Sequence, residues 1–489
     1  MKPSRATPDP RKPLRREGLN SEESEAHMGL EDEQRQKSRQ LELPTVDRGE
    51  APRHRRSGES RSATQESGHS GNGDAELLEL VVDWKNVEAA LRRVQKNKGS
   101  PGVDGMTVDE LPTYLMQNWS RLREEILSGR YRPQPVRRHA IDKKDGGTRE
   151  LGIPTVVDRL VQQCILQVLQ PRFDPSFSPH SYGFRPGRRA HDAVCAAQRF
   201  IYEGRRWVVD VDLEAFFDHV NHDVLMGKLA TRIADRRLLR LIRLYLVAGI
   251  MASGVVTTRH EGTPQGGPLS PLLANVLLDE VDRELERRGH AFARYADDCN
   301  VYVRSKRAGE RVLEALRRLY AKLRLRVNEA KSAVARPHER KFLGYSFWLS
   351  QGTVKRRVAS KALAAMKDRV RDITKRSGGR SIPKVIEELR GYLVGWKNYF
   401  RLADTPGVFR ELDGWIRHRL RALQLKQWKR GPTICRELIK RGVAPRDARR
   451  VAANVGRWWR SSQADLNVAL PNSHFDALGV PRLANTSTH

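Results

Sequence analysis

Two adjacent acids, Asp297 and Asp298, lie in the segment FARYADDCNVYV, where strand-forming residues flank them on both sides. The pattern predicts a hairpin with strands at 291–295 and 299–303 and with both acids in its tight turn, a position that Asp tolerates well. Such a turn is ordinary unless a third carboxylate comes from another strand. Three carboxylates could bind Mg²⁺, and two such ions can stabilise the attacking and leaving oxygens of a phosphoryl transfer.

Candidates for the third carboxylate lie upstream, in the apolar run at residues 207–213. Its length and β-branched content predict a buried strand. Asp210 and Asp212 interrupt the run, and an unpaired charge in such a place is costly, which favours a functional role. Strand alternation places both acids on one face, so their spacing does not choose between them. The nearby His219, His222 and Asp223 favour local hydrogen bonds over a metal site.

Helices must hold these strands in place. Apolar residues at helical spacing predict a helix that begins at Asp83, a largely helical stretch over 155–205, and helices at 271–285 and 308–325, the last covering the back of the sheet. Three more helices are predicted beyond residue 350, at 360–376, 382–402 and 408–428. The polar faces of the last one and the segment just after it carry many Arg and Lys residues.

A second predicted hairpin, within residues 141–154, has its turn at 145–147. Lys143 and Arg149 flank that turn, and two converging cations suit a triphosphate. A basic surface hairpin is the alternative, and the residues by themselves favour it.

Composition indicates a nucleic-acid partner. The chain has 489 residues, enough for two or three domains, and a formal net charge of +31. No transmembrane run or secretory signal is recognisable, which argues against a membrane partner. The four cysteines are far apart, which favours neither a zinc site nor disulfides and fits a reducing cytoplasm. Residues 1–74 contain no Phe, Trp, Tyr, Ile or Cys, so we expect a disordered tail.

Several motifs, in order, resemble the bacterial group II intron-encoded reverse transcriptases from about residue 90 to 350. The pattern D-x-x-x-F-F-D begins at Asp212 and is followed by YADD at 295–298. A lone YADD is weak evidence, but the ordered set is specific. The other matching blocks are KNKGSPGVDG at 96–105, SYGFRP at 181–186, GTPQGGPLSP at 262–271 and KFLGY at 341–345.

The resemblance implies an α+β fold of the right-hand polymerase type, with fingers, an antiparallel palm sheet and an α-helical thumb that carries maturase domain X. The expected divisions are a disordered basic and polar tail at 1–75, fingers with an N-terminal extension at 76–205, the palm at 206–350, the thumb and maturase domain at 351–430, and a short basic DNA-binding region at 431–489.

The resemblance also implies site residues. It assigns Asp212, Asp297 and Asp298 as catalytic residues and as ligands of two Mg²⁺ ions. It places Phe217 where the nucleotide sugar is checked and Lys331 near the leaving pyrophosphate. The expected dNTP-binding residues are Lys143, Arg149, Phe217, Gln265 and Lys331. The expected nucleic-acid-binding residues are Lys98, Arg417, Arg421, Lys429, Arg457 and Trp458.

The function implied is RNA-directed DNA synthesis together with maturase activity, in which the protein binds group II intron RNA to assist splicing and retrohoming. Expected partners are that RNA, an RNA template with a DNA primer, target DNA and dNTPs. The expected location is the bacterial cytoplasm, in association with the nucleoid or with a ribonucleoprotein. The chain ends at His489 without cysteine pairs for an H-N-H endonuclease, which favours the endonuclease-lacking branch. Alternatives are a splicing-only maturase or an enzyme recruited to defence or repair.

Overall fold

The computed structural model describes residues 76–142, 148–252, 255–257, 261–263, 266–376, 378–454, 459 and 466–484. The predicted disordered tail lies outside this part of the chain, as do residues 143–147 in the turn of the predicted finger hairpin. In the described part of the chain, no helix is both long and apolar enough to cross a membrane.

The N-terminal region is a layer of helices. Asp83 accepts a hydrogen bond from the Lys85 backbone N–H and caps a helix, as predicted, and Val87 and Val94 are buried on its inner face. Thr155 caps a longer helix in the same way. The helices are α1 (Leu77–Val81), α2 (Trp84–Asn97), α3 (Leu111–Leu127), α4 (Val156–Phe173) and α5 (Ala190–Tyr202).

A four-stranded finger sheet lies beside these helices. Its first two strands, β1 (Val136–Asp142) and β2 (Thr148–Ile153), are antiparallel, with Asp142 opposite Thr148. These are the arms of the predicted hairpin. Its other two strands come later in the chain and are β4 (Ile250–Ala252) and β5 (Val255–Thr257). The strand order of this sheet is β2-β1-β4-β5.

The palm is a four-stranded sheet of order β6-β7-β3-β8 in which every pairing is antiparallel, as predicted. Val209 and Val211 belong to a core formed with the helices behind the sheet, and Val208 belongs to a second core on the other face. The strands are β3 (Trp207–Val211), β6 (Ala291–Tyr295), β7 (Asp298–Val303) and β8 (Ala333–Ala335). The palm helices are α6 (His222–Ala230), α7 (Arg236–Val247), α8 (Ser270–Arg287) and α9 (Lys306–Lys322).

The hairpin turn differs by one residue from the prediction. Tyr295 pairs with Asp298, so the two turn residues are Ala296 and Asp297, and Asp298 begins β7. Ala296 takes a left-handed φ of 58°. A positive φ at the first turn position is characteristic of the two-residue turns that match the twist of a hairpin. The two acids therefore differ in setting, one in the turn and one in the sheet.

The thumb begins with a hairpin of β9 (Tyr345–Ser350) and β10 (Thr353–Val358). The three predicted helices follow as α10 (Ser360–Ile373), α11 (Ile382–Tyr399) and α12 (Pro406–Trp428). Their inner residues join one core with the second face of the palm sheet.

The C-terminal segments pack on the thumb. They contain α13 (Gly431–Lys440), α14 (Pro445–Ala453), α15 (Leu466–Ala469) and α16 (Asn472–Ala477). Ile434, Leu438, Phe475 and Leu483 are buried in the same core as the thumb helices. The segment expected as a separate DNA-binding region at 431–489 thus shares its described interior with the thumb.

Candidate active site

The palm sheet gives Asp210 and Asp212 different settings. Asp210 lies within β3, where its carboxylate forms an ion pair with Arg340 at 3.0 Å between Oδ2 and Nε. Asn300, its partner on β7, has its side-chain amide nitrogen 2.8 Å from Asp210 Oδ1 in the orientation that satisfies both groups. Asp210 is therefore engaged in holding the palm together.

Asp212 lies one residue beyond the end of β3. Val211 pairs with Cys299, so the same register continued by one residue brings Asp212 opposite Asp298. Directly opposed side chains in a sheet lie close together, and like charges there repel. The antiparallel register is thus what gathers acids from distant parts of the sequence at one end of the sheet.

The electrostatics of Asp298 show this crowding. Its side chain reaches solvent, but protein atoms surround it on several sides. Lost hydration, together with repulsion from Asp297, Asp210 and Asp212, raises the pKa of Asp298 to about 7, against a smaller lowering by Lys341. A divalent cation at this end of the sheet would relieve that repulsion.

The carboxylates do not form a complete metal-binding site in this structure. Within the described residues, no group of three or more His, Cys, Asp or Glu side chains is arranged to hold a metal ion. The donor set nevertheless fits one, because carboxylate oxygens are the ligands that Mg²⁺ prefers and Asp297 and Asp212 both repel the Asp298 carboxylate.

A loop after α9 fixes the backbone of Asp212. Its carbonyl accepts a hydrogen bond from the Asn328 N–H at 2.8 Å, and its N–H donates to Ser332 Oγ at 3.0 Å. Lys331, predicted near the pyrophosphate, is exposed on this same loop. Lys331 thus lies between Asn328 and Ser332, the two residues that bond the Asp212 backbone.

Phe217 lies in the 3-10 turn Phe216–Asp218 that follows Asp212. Its ring is partly buried and packs edge-on against Phe216 at 5.1 Å between centroids. Its carbonyl accepts a hydrogen bond from Thr263 N–H at 2.7 Å, which ties the GTPQGGPLSP block to this turn. Gln265, in that block, lies outside the described residues, as do Lys143 and the side chain of Arg149.

The finger block SYGFRP packs directly on the turn at Ala296 and Asp297, a contact that the sequence did not predict. Gly183 leaves no room for a side chain, because a Cβ there would lie 2.3 Å from the Ala296 nitrogen and 2.9 Å from the Tyr295 carbonyl carbon. Gly183 within SYGFRP was the sequence feature that could have predicted this close contact, because glycine permits close approach of two backbones.

Gly183→Ala should displace that turn. We expect a loss of about 1–3 kcal/mol in stability, typical of overpacking, and a fall of at least about tenfold in primer extension rate. Thermal unfolding and single-nucleotide extension measure the two effects. Gly227→Ala is the matched control, because a Cβ at Gly227 in α6 meets open space and should stabilise the helix by about 1 kcal/mol. Wild-type extension by Gly183→Ala would contradict the contact.

Two residues expected to contact phosphates are instead interior. Arg417 is 1% exposed and forms ion pairs with Asp413 and with Asp476. Arg421 is 4% exposed and donates to the Leu470 carbonyl and to Asn472 Oδ1, both at 2.8 Å. The prediction that these two arginines bind nucleic acid is wrong for this conformation, because their guanidinium groups fasten the C-terminal segment to α12.

The other predicted nucleic-acid residues divide into two groups. Lys98 and Lys429 are exposed, each just past the end of a helix and each with a positive φ, 43° and 60°. Their nucleic-acid role stays a prediction. Arg457 and Trp458 lie outside the described residues.

Arg417→Ala should therefore weaken folding rather than RNA binding. Removing the cation leaves Asp413 and Asp476 without it, at a cost of about 3 kcal/mol, the low end for a broken buried pair because Asp476 keeps Arg482. Thermal unfolding and proteolysis of residues 466–484 would report the loss. Lys429→Ala is the counterpart. It should leave stability unchanged and reduce the salt dependence of RNA affinity by about one phosphate contact. Reversed results for the two variants would contradict this assignment.

A palm sheet that gathers acids at one end, flanked by fingers and a helical thumb, defines a nucleic-acid polymerase of the right-hand class. Residues 141–347 match the family model described as reverse transcriptase (RNA-dependent DNA polymerase), and residues 363–441 match the group II intron, maturase-specific domain. The chain belongs to the group II intron reverse transcriptase and maturase family. Its catalytic class is that of an RNA-directed DNA polymerase, a nucleotidyltransferase.

Individual relatives agree with this assignment. Protein YkfC of Escherichia coli is 34% identical over 306 residues, covering 54% of this chain and 79% of YkfC. The group II intron-encoded protein LtrA of Lactococcus lactis is 36% identical over 195 residues, 40% of this chain and 32% of LtrA. The chain thus spans most of YkfC but about a third of LtrA. A solved structure, a partial Cas6-RT-Cas1–Cas2 complex, matches 51% of this chain and 42% of that chain at 24% identity, with a TM-score of 0.33 that is too low to bear on the fold.

Proposed function

We propose that this protein copies RNA into DNA at Asp212, Asp297 and Asp298, and that it binds group II intron RNA to assist splicing and retrohoming. The observation that carries the polymerase half is the β3–β7 register, which brings the acids of two motifs to one end of the palm sheet. The maturase half rests on the match of residues 363–441 to the maturase-specific domain.

In the proposed reaction, a primer 3′-oxygen forms a bond to the α-phosphorus of a dNTP. The bond to the bridging oxygen breaks, pyrophosphate leaves with that electron pair, and the hydroxyl proton passes to solvent. Two Mg²⁺ ions, when held by the three carboxylates, supply a lowered pKa for the 3′-hydroxyl and charge neutralisation at the pyrophosphate.

The remaining residues bind and orient. Phe217, beside the Asp212 strand end, would pack under the sugar and disfavour a 2′-hydroxyl. Lys331, on the loop that anchors Asp212, would protonate or neutralise the leaving pyrophosphate. Lys143, Arg149 and Gln265 would contact the incoming dNTP, as their motifs imply.

Partners follow from the two activities. An RNA template with a DNA primer would lie across the palm, and intron RNA would contact exposed cations such as Lys98 and Lys429. Target DNA is the partner that retrohoming requires. We place the protein in the bacterial cytoplasm, within an intron ribonucleoprotein.

The test combines two assays on the purified full chain. Primer extension on an RNA template with Mg²⁺ should proceed with dNTPs and much more slowly with NTPs. Splicing of the intron RNA that surrounds the gene should be faster with the protein at low Mg²⁺. Splicing without extension would favour a splicing-only maturase. Extension with no RNA-specific splicing would favour an enzyme recruited to defence or repair.

A further inference from the structure

Arg294, the residue before YADD, carries a buried hydrogen-bond network that the proposed reaction does not use. Its side chain is 0% exposed, although it is charged and lies at the end of a palm strand. A guanidinium has five N–H donors. All five are taken: by both Asp282 carboxylate oxygens, by Asn275 Oδ1 at 3.0 Å, by the Ala296 carbonyl at 2.9 Å and by Ser181 Oγ at 2.8 Å.

These acceptors come from three separate parts of the fold. Asp282 and Asn275 belong to α8, Ser181 belongs to the finger block, and Ala296 is the first residue of the catalytic turn. Asn275 also donates to the Gly183 carbonyl at 2.9 Å. One side chain thus joins helix, fingers and turn at a single point.

The backbone of Arg294 makes the same connection. Its carbonyl accepts from the Tyr182 N–H at 2.8 Å, and its N–H donates to the His180 carbonyl at 2.9 Å. The finger block therefore adds to the edge of the palm sheet next to the turn. A displacement of the finger block would therefore shift the turn through these bonds.

The Ala296 contact is the most informative of the five. Ala296 holds a left-handed φ of 58°, which is strained for a residue with a Cβ and persists when surrounding contacts enforce it. Arg294 Nη1 bonds the carbonyl of that residue, and the next residue is Asp297. Neutralising Asp282 needs two of the five donors, so charge balance in the core does not account for the bond to the turn.

We propose that Arg294 is a positioning residue that holds the turn carrying Asp297 and links its position to the finger block. This deepens the proposed polymerase function and rests on it. Arg294 touches no reacting atom. Its effect is on the rate of the chemical step through the placement of Asp297.

Arg294→Lys is the variant that tests the role. Lysine keeps the charge beside Asp282 but has three donors and no planar fork, so it cannot reach the turn, the helix and the finger block together. The matched control is Arg421→Lys. Arg421 is 4% exposed and donates to the Leu470 carbonyl and to Asn472 Oδ1, which belong to neither the turn nor the finger block.

We expect both variants to lose thermal stability to a similar degree. Arg294→Lys should lower kcat for single-nucleotide addition by at least about tenfold, with KM for dNTP within about twofold of wild type, whereas Arg421→Lys should keep kcat within about threefold. If Arg294→Lys fails to fold, Ser181→Ala takes its place, because it removes one acceptor and leaves the charge pair intact. It should lower kcat in the same direction.

Hydrogen exchange of the amides at residues 296–298 provides a readout that needs no activity. Exchange there should rise in Arg294→Lys and stay at the wild-type level in Arg421→Lys. Equal loss of kcat in the two variants, or unchanged exchange at the turn, would overturn the positioning role. An inactive wild type with the expected exchange pattern would instead overturn the polymerase function and leave the link between Arg294 and the turn standing.

Discussion

Asp297→Ala should abolish cDNA synthesis while leaving the protein folded. Asp297 lies in a two-residue turn rather than in the packed core, so truncation costs little stability. It removes a carboxylate from the acidic end of the sheet, where, under the proposed mechanism, divalent metal would stabilise the transition state by several kcal/mol. Since each 1.4 kcal/mol is a factor of ten, we expect a fall of at least about a thousandfold in primer extension.

The control is Asp223→Ala, which also removes one aspartate near the palm. The Asp223 side chain is 79% exposed and pairs with Arg243 on α7. It should extend primers at the wild-type rate. Thermal unfolding and RNA affinity of both variants should match wild type. Robust synthesis by a highly purified Asp297→Ala protein would show that the acidic cluster is not the catalytic centre.

Asp212→Asn and Asp210→Asn should separate the two acids of β3. Asp212 faces Asp298 by register, and Ser332 and Asn328 bond its backbone N–H and carbonyl. Its amide variant should lose about a thousandfold or more in extension rate because a neutral ligand cannot replace an anionic one at a divalent ion. Steady-state extension with a Mg²⁺ titration measures this loss.

Asp210→Asn has the opposite signature. It breaks the ion pair with Arg340, of which each side chain is 25% exposed, so we expect a stability loss of about 1–2 kcal/mol and extension within about tenfold of wild type. Because the two substitutions are chemically identical and two residues apart, they control for each other. If Asp210→Asn is the inactive variant and Asp212→Asn the active one, the assignment from register is wrong.

The sequence was enough to predict the elements and the class of the protein. The alternation around YADD, the apolar run at 207–213 and the helical stripes of the thumb predicted strands and helices that the structure contains. These are local signals, because a period of two or 3.6 residues is set by the backbone. The reverse transcriptase family model matches residues 141–347, a range that contains both the Asp212 motif and YADD.

Pairing between strands distinguishes two acids that local spacing left equivalent. Asp210 and Asp212 share a strand face, so the sequence offered no choice between them. Arg340, about 130 residues later, pairs with Asp210, and the register places Asp298 opposite Asp212. The prediction that both acids lie in the turn was wrong by one residue. Tyr295 pairs with Asp298, so Asp298 begins β7 and only Asp297 lies in the turn.

The sequence by itself determined that α12 is an amphipathic helix rich in arginine, and only the tertiary structure decided which arginines face water. Arg417 and Arg421 each follow an apolar core residue and form a second stripe with Asp413. That stripe is covered by residues 470–484, which return to the helix about 50 to 70 positions later in the chain. Helical periodicity identifies a face, but the burial of that face depends on a partner distant in sequence. The same physical reason conceals Arg294, whose partners lie as far as 113 residues away.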